Sequence, residues 1–160
     1  MANKITEDSR IDPRIKEQWK GINFPEALVE SSSREEILAK VNTEEGQVEI
    51  MMYEAFFNDP RLDDAISSDG LKNETIQIDS QPDGNKINLL NIRPDNEDIL
   101  PCVYYIHGGG MEIGSCFYKR YQAFGRLIAH QNVSVVMVDF RNARVPSSVP
   151  EVAPFPAGLN

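Results

Sequence analysis

The feature that most restricts this chain is an apolar run that gives way at once to bare backbone: "CVYYIHGGGMEIGS", Cys102 to Ser115. Cys102 to Ile106 is almost continuously apolar, which predicts a strand covered on both faces. His107 and three consecutive glycines, Gly108, Gly109 and Gly110, follow directly. Without Cβ atoms they can take positive φ and bring main-chain N–H groups close to a ligand. Tyr118, Tyr121, Phe124, Gly125, Leu127 and Ile128 then recur at helical intervals. They predict a helix over 118–130, with Gly125 allowing close approach to a sheet. "VSVVMVDF" reads as the next buried strand. Strand, glycine turn, helix and strand form one βαβ unit, expected to cross over right-handed, and the fold class is α/β.

The chain divides into a helical region, 1–68, and a strand-rich region, 69–160. In the second, "ETIQID" alternates apolar and polar residues, "QPDGN" is turn chemistry and "KINLLNIRP" resumes the alternation. Glu74 to Arg93 is therefore an antiparallel strand pair. In the first, Asp12 is an N-cap with Pro13 at the first helical position, where its missing N–H costs nothing. Ser33 and Glu36 have capping-box spacing. Val48, Met51, Met52, Ala55 and Phe56 fall on one helical face that is predicted to be covered. Met51, Met52, Phe56 and Phe57 could line an apolar pocket or serve as core packing.

Charge excludes several partners. Asp and Glu outnumber Lys and Arg by 25 to 16, a formal charge of −9, the wrong sign for binding a phosphate backbone or an anionic membrane. The start, "MANKITEDSRIDPR", lacks the apolar core of a secretory signal and is too acidic for a transit peptide. The longest apolar run, Val133 to Val138 interrupted by Ser134, is far below the ~18 residues of a membrane span. A cytoplasmic protein is expected. Cys102 and Cys116 have neither CxxC spacing nor disulfide-scaffold density and read as reduced thiols. His107 and His130 are the two histidines, without a second ligand at i+3 or i+4, so neither a metal nor a cofactor is expected.

The glycine cluster has three candidate uses. It can be a tight turn leaving a strand. It does not fit a phosphate loop, because the glycines at 108, 109, 110 and 114 are followed by no Lys-Ser or Lys-Thr. It fits an oxyanion hole, in which main-chain N–H groups bind the negative oxygen that develops in acyl transfer, and lipases and esterases use an HGGG motif in this way. "VYYIHGGGMEIGS", the helix after it, "VVMVDFR" and "PFPAG" in this order resemble the hormone-sensitive lipase family of α/β-hydrolases, which are carboxylesterases and lipases. The resemblance is closest from Cys102 to Asn160, looser over the strand pair, and one of kind before Asp69.

The resemblance implies the N-terminal part of an α/β-hydrolase fold: a helical cap plus the first four strands of a mostly parallel sheet, incomplete. It implies Gly109 and Gly110 as oxyanion donors, Gly108 as support of the turn, and His107 as the residue orienting the loop rather than the catalytic base. Where many members read Tyr-Arg-Leu-Ala-Pro-Glu, this chain has "FRNARVPSSVPEVAPFPAG", with Phe140 in the tyrosine place. Asp139 and Arg141 are expected to hold that turn together, and Asp139 is not the triad acid.

A serine hydrolase of this fold also needs a nucleophile on a G-x-S-x-G elbow, then an acid and a histidine. The sequence contains no such pentapeptide. Ser115 lacks the following glycine, and Ser147 and Ser148 lie in a proline-rich link. The expectation is a carboxylic ester hydrolase fragment, acting on small-molecule esters when intact and inactive alone. Its third strand is expected to expose an edge open to self-association or to pairing with missing strands. The alternative is a non-catalytic interaction protein that pairs through that edge.

Overall fold

The computed structural model describes residues 7–18, 20, 33, 35, 36, 39, 42–81 and 83–153, and the chain forms two compact units, Met1–Gly46 and Gln47–Asn160. In the first unit, helix α1 is Pro13–Gln18. Asp12 Oδ1 accepts the Arg14 N–H at 2.8 Å, so the cap stands where the sequence places it. Ser33 Oγ accepts the Glu36 N–H at 3.2 Å. Part of the helix predicted to follow lies outside the described residues, as does "PFPAG".

Helix α2, Glu44–Phe57, is capped by Thr43, whose Oγ1 accepts the Gly46 N–H at 3.1 Å. Its packed side is Ile50, Tyr53, Glu54 and Phe57, spaced i, i+3, i+4 and i+7. This corrects the sequence reading. The stripe predicted to be covered is exposed instead, with Met51 at 66% and Met52 at 68%. Helical spacing finds two stripes here and cannot rank them. The winning stripe carries shape and polar complementarity: Phe57 stacks on Tyr53 at 4.4 Å and on Tyr121 at 4.9 Å, and Glu54 Oε1 accepts the Tyr118 hydroxyl at 3.1 Å. The short helix α3, Arg61–Ala65, follows.

Strands β1, Leu71–Asp79, and β2, Lys86–Pro94, form the expected antiparallel pair, β1 starting three residues before Glu74. Gly84 turns the chain between them with φ 70°. Strand β3 is Cys102–Ile106, helix α4 is Lys119–Ala129 and strand β4 is Ser134–Asp139. The sheet order is β1-β2-β4-β3, antiparallel until the β3–β4 pair, which is parallel as a βαβ unit requires. Helix α4 lies on β2 and β4. A Cβ on Gly125 would stand 2.8 Å from Met137 Sδ and 2.9 Å from Ile92 Cδ1, so glycine there sets the helix-to-sheet distance, as the sequence suggested.

Polar bonds fasten 58–67 to α4. Asn58 Oδ1 accepts the Lys119 N–H at 3.4 Å, Arg126 donates to the carbonyls of Leu62 (3.0 Å) and Ile66 (2.8 Å), and His130 Nε2 donates to Ser67 O at 2.8 Å. Opposite α4, the row Ile76, Leu89, Val138 and Ile106 runs across the sheet. Strand β1 is exposed along most of its length but carries Lys72, Glu74 and Asp79, charges that discourage edge pairing. Strand β3, at the other edge, exposes Tyr104 (60%) and Ile106 (61%). The reading of a strand covered on both faces therefore fails within the described residues. Tyr105 packs on Phe124 of α4, but its neighbours 104 and 106 face the other way.

Candidate active site

Beyond Ile106 the chain turns into the glycine loop, and its carbonyls find partners one after another. His107 is buried, and its ring stacks on Phe140 with centroids 4.3 Å apart and planes 7° from parallel. A carbonyl can only accept, so His107 Nδ1 donates to Gly108 O at 2.8 Å. Tyr121 donates its hydroxyl to the same oxygen at 3.1 Å. Gly109 O accepts the N–H groups of Glu112 (3.1 Å) and Ile113 (3.2 Å). Each carbonyl thus has both lone pairs engaged.

A trans peptide points its C=O and N–H in opposite directions. Pinning the Gly108 and Gly109 carbonyls therefore aims the N–H groups of Gly109 and Gly110 away from those partners. Among the described residues, neither N–H donates to any carbonyl or side chain. The backbone that does this is open only to glycine at one position: Gly109 has φ 130°, and a Cβ there would stand 1.8 Å from Ile113 O. Gly110, at φ 65°, would meet nothing within 4 Å. Met111 follows in the left-handed region at φ 59°, a strained conformation for a side chain of that kind.

The link after β4 holds the loop from behind. Met111 O accepts the Ala143 N–H at 2.8 Å, and Glu112 O accepts those of Arg144 (3.1 Å) and Val145 (2.9 Å). Asn142, fully buried, donates to Gly114 O at 2.7 Å. Asp139, also fully buried, accepts the Cys116 N–H at 2.9 Å, the Ser148 N–H at 2.7 Å and the Ser148 hydroxyl. Asp139 is thus a joint between loop and link. Arg141 does not share that task; its guanidinium reaches Asp83 on the β1–β2 turn.

Electrostatics sort the titratable groups. Burial is the largest influence on His107 and lowers its pKa below 6.5, with the Gly108 bond and Asp139 opposing. His107 Nε2 lies 3.9 Å from Asp139 Oδ1, too far for a direct hydrogen bond. Burial also pushes the Cys116 thiol far up, which makes it inert as a nucleophile. The serines are committed elsewhere: Ser115 Oγ accepts the Phe117 N–H, Ser147 Oγ accepts the Val149 N–H, and Ser148 donates to Asp139. No serine–histidine pair forms among the described residues, nor does any group of three His, Cys, Asp or Glu that could hold a metal.

The structure brings His107, Gly108, Gly109 and Gly110 together with four residues the sequence reading did not assign to the site: Tyr53, Tyr121, Asn142 and, as a joint, Asp139. Tyr121 had a signal, its place on the apolar face of α4, but that signal reads as core. Asn142 had none.

No model of a known protein family matches the chain. Among solved structures, esterase Est22 is 48% identical over 100% of this chain and 46% of its own, with a TM-score of 0.89. Brefeldin A esterase, described as a bacterial homologue of human hormone sensitive lipase, is 28% identical over 97% of this chain and 42% of its own, with a TM-score of 0.76. Gut esterase 1 of Caenorhabditis elegans is 40% identical over 55 residues, 34% of this chain and 10% of that protein. The chain therefore spans less than half the length of these solved relatives and about a tenth of the curated one.

Proposed function

We propose that this chain, which belongs to the hormone-sensitive lipase family of α/β-hydrolases and spans the N-terminal portion of that fold, carries the oxyanion-binding part of a carboxylic ester hydrolase. The observation that carries the proposal is the pair of doubly engaged carbonyls at Gly108 and Gly109. They leave the Gly109 and Gly110 N–H groups as two neighbouring donors, which is what a tetrahedral acyl intermediate needs from an enzyme. Gly108 supports the turn and His107 orients it. The region 1–68 is read as cap-like and 69–160 as the first part of the hydrolase core.

In the reaction, a serine attacks the carbonyl of a small-molecule ester, a histidine takes the proton and returns it to the leaving alcohol, and the two amides hold the oxyanion. One such donor is worth about 10²- to 10³-fold in rate. Donors accelerate nothing without a nucleophile, and the sequence has no G-x-S-x-G. The chain alone is therefore inactive in this reading. Two free thiols support a cytoplasmic setting, and among the described residues no helix is long and apolar enough to cross a membrane.

The test uses a short-acyl p-nitrophenyl ester. The chain alone gives no hydrolysis above denatured protein. Assembled with the complementary C-terminal portion of a related esterase it restores hydrolysis, and Gly109→Ala abolishes the gain. Assembly without hydrolysis by the wild-type chain would sink the reading. A second reading, that of an interaction protein without catalysis, is favoured by one observation: the apolar β3 edge with Tyr104 and Ile106 exposed. Sedimentation of the chain alone as a monomer at all concentrations counts against it.

A further inference from the structure

The peptide between Gly108 and Gly109 has no Cβ on either side to resist a flip. A flip would exchange the directions of the Gly108 carbonyl and the Gly109 N–H. His107 supplies one restraint on that carbonyl, and Tyr121 supplies the second. Because Tyr121 has a single hydroxyl proton and gives it to Gly108 O, its 3.2 Å contact with the Tyr53 hydroxyl must be one in which Tyr53 donates. The result is a directed chain: Tyr53 O–H to Tyr121 O–H to Gly108 O=C. Such chains polarise and strengthen each member. Burial holds the Tyr121 phenol well above its ordinary pKa, so it remains a donor.

The rings are not free to turn away. Tyr53 and Tyr121 are joined through Phe57, which stacks on both, and Tyr105 closes on Tyr121 at 6.1 Å. The Tyr53 hydroxyl also lies 3.3 Å from the place where a Gly109 Cβ would be, directly over the residue whose N–H matters. Helix α2 thus reaches the loop through one side chain.

We infer that Tyr121 and Tyr53 are positioning residues for the oxyanion donors, forming a hydroxyl relay from α2 through α4 that fixes the Gly108–Gly109 peptide plane and the aim of the Gly109 N–H. This rests on the reading of Gly109 and Gly110 as oxyanion donors. Neither tyrosine touches the reacting atoms in it. Their contribution is the orientation of a bond that glycine by itself leaves loose.

The test is nuclear magnetic resonance on the full chain labelled with ¹⁵N at its 10 glycines. Tyr121→Phe keeps the ring in the stack and removes only the hydroxyl. It raises the flipped population of the Gly108–Gly109 peptide about five-fold, the factor expected for one lost hydrogen bond, read as relaxation dispersion and a shifted Gly109 amide resonance. Tyr53→Phe does the same by a smaller factor. Tyr105→Phe, a phenol lost from the same cluster but outside the relay, leaves the Gly109 resonance unchanged. Wild-type behaviour of Gly109 in both Tyr121→Phe and Tyr53→Phe overturns the inference, and so does an equal change in Tyr105→Phe. If Tyr121→Phe does not fold, Tyr53→Phe decides. None of these measurements needs a nucleophile or an ester, so the relay can fail while the oxyanion reading stands, and the complementation assay can fail while the relay stands.

Discussion

Along its length β3 has one hydrogen-bonded neighbour and exposes Tyr104 and Ile106, whereas two residues beyond its end the Gly108 carbonyl is held from two directions at once. The glycine loop therefore does not inherit its geometry from the strand that leads into it. Part of that geometry is the loop's own, from His107, Glu112 and Ile113, and the rest comes from Tyr121 of α4, backed by Tyr53 of α2, and from the link 139–149. Edge strands are where a sheet is most easily perturbed. A loop that took its shape from such an edge could not keep peptide planes in fixed orientations, and the side chains that hold the Gly108 carbonyl, His107 and Tyr121, are both buried residues.

This contrast can be broken most severely at Gly109. Gly109→Ala drives a Cβ into the Ile113 carbonyl and demands φ 130° of an alanine, costing more than about 3 kcal/mol in chemical denaturation. Gly110→Ala, with open space before it, costs about 1 kcal/mol for its left-handed backbone alone. Equal effects at the two sites would contradict the packing described. Asp139→Ala comes next. It leaves the buried Cys116 N–H and the part-buried Ser148 N–H without their acceptor and lowers stability by about 2 kcal/mol, with the loss localised by hydrogen exchange to the loop and link rather than to β1 and β2.

A smaller effect is expected from pH. Since burial depresses the pKa of His107 below 6.5, the unfolded chain takes up a proton below that value while the folded chain does not. The contribution is complete above pH 6.5 and is lost as pH falls from there toward the folded-state pKa. Urea melts at about pH 7.5 and about pH 5.5 should show a loss at the lower value that His107→Gln reduces. An unchanged pH dependence in that variant would mean the histidine is not held neutral. Least affected is the edge: Tyr104→Lys with Ile106→Lys changes stability by no more than about 0.5 kcal/mol but shifts sedimentation toward the monomer. A large loss of stability there would show that the strand supports the loop after all.

Helix α2 shows how far the order of residues could be read. Both of its stripes have helical spacing, and the more apolar one, Val48, Met51, Met52, Ala55 and Phe56, is the obvious candidate for burial. The stripe that packs is the one whose hydroxyl and rings find partners on α4 and whose carboxylate finds Tyr118 just before it. Periodicity counts apolar residues; it carries no information about which partner surface will be offered. The same gap hid Tyr121, whose position predicts core and whose hydroxyl serves the loop.

Local chemistry was enough for the strand pair and its turn, for the βαβ unit, for the cap at Asp12, and for a glycine segment able to take left-handed backbone. Each depends on residues a few positions apart, whose steric and hydrogen-bonding preferences act before the chain folds. The second restraint on the Gly108 carbonyl, the side of α2 that is covered, and what Asp139 and Asn142 hold depended on groups from distant segments meeting. The Gly109 carbonyl is held from within the loop, but the second donor on the Gly108 carbonyl and those on the carbonyls of Met111, Glu112 and Gly114 are brought there by the packing of α4 and the link.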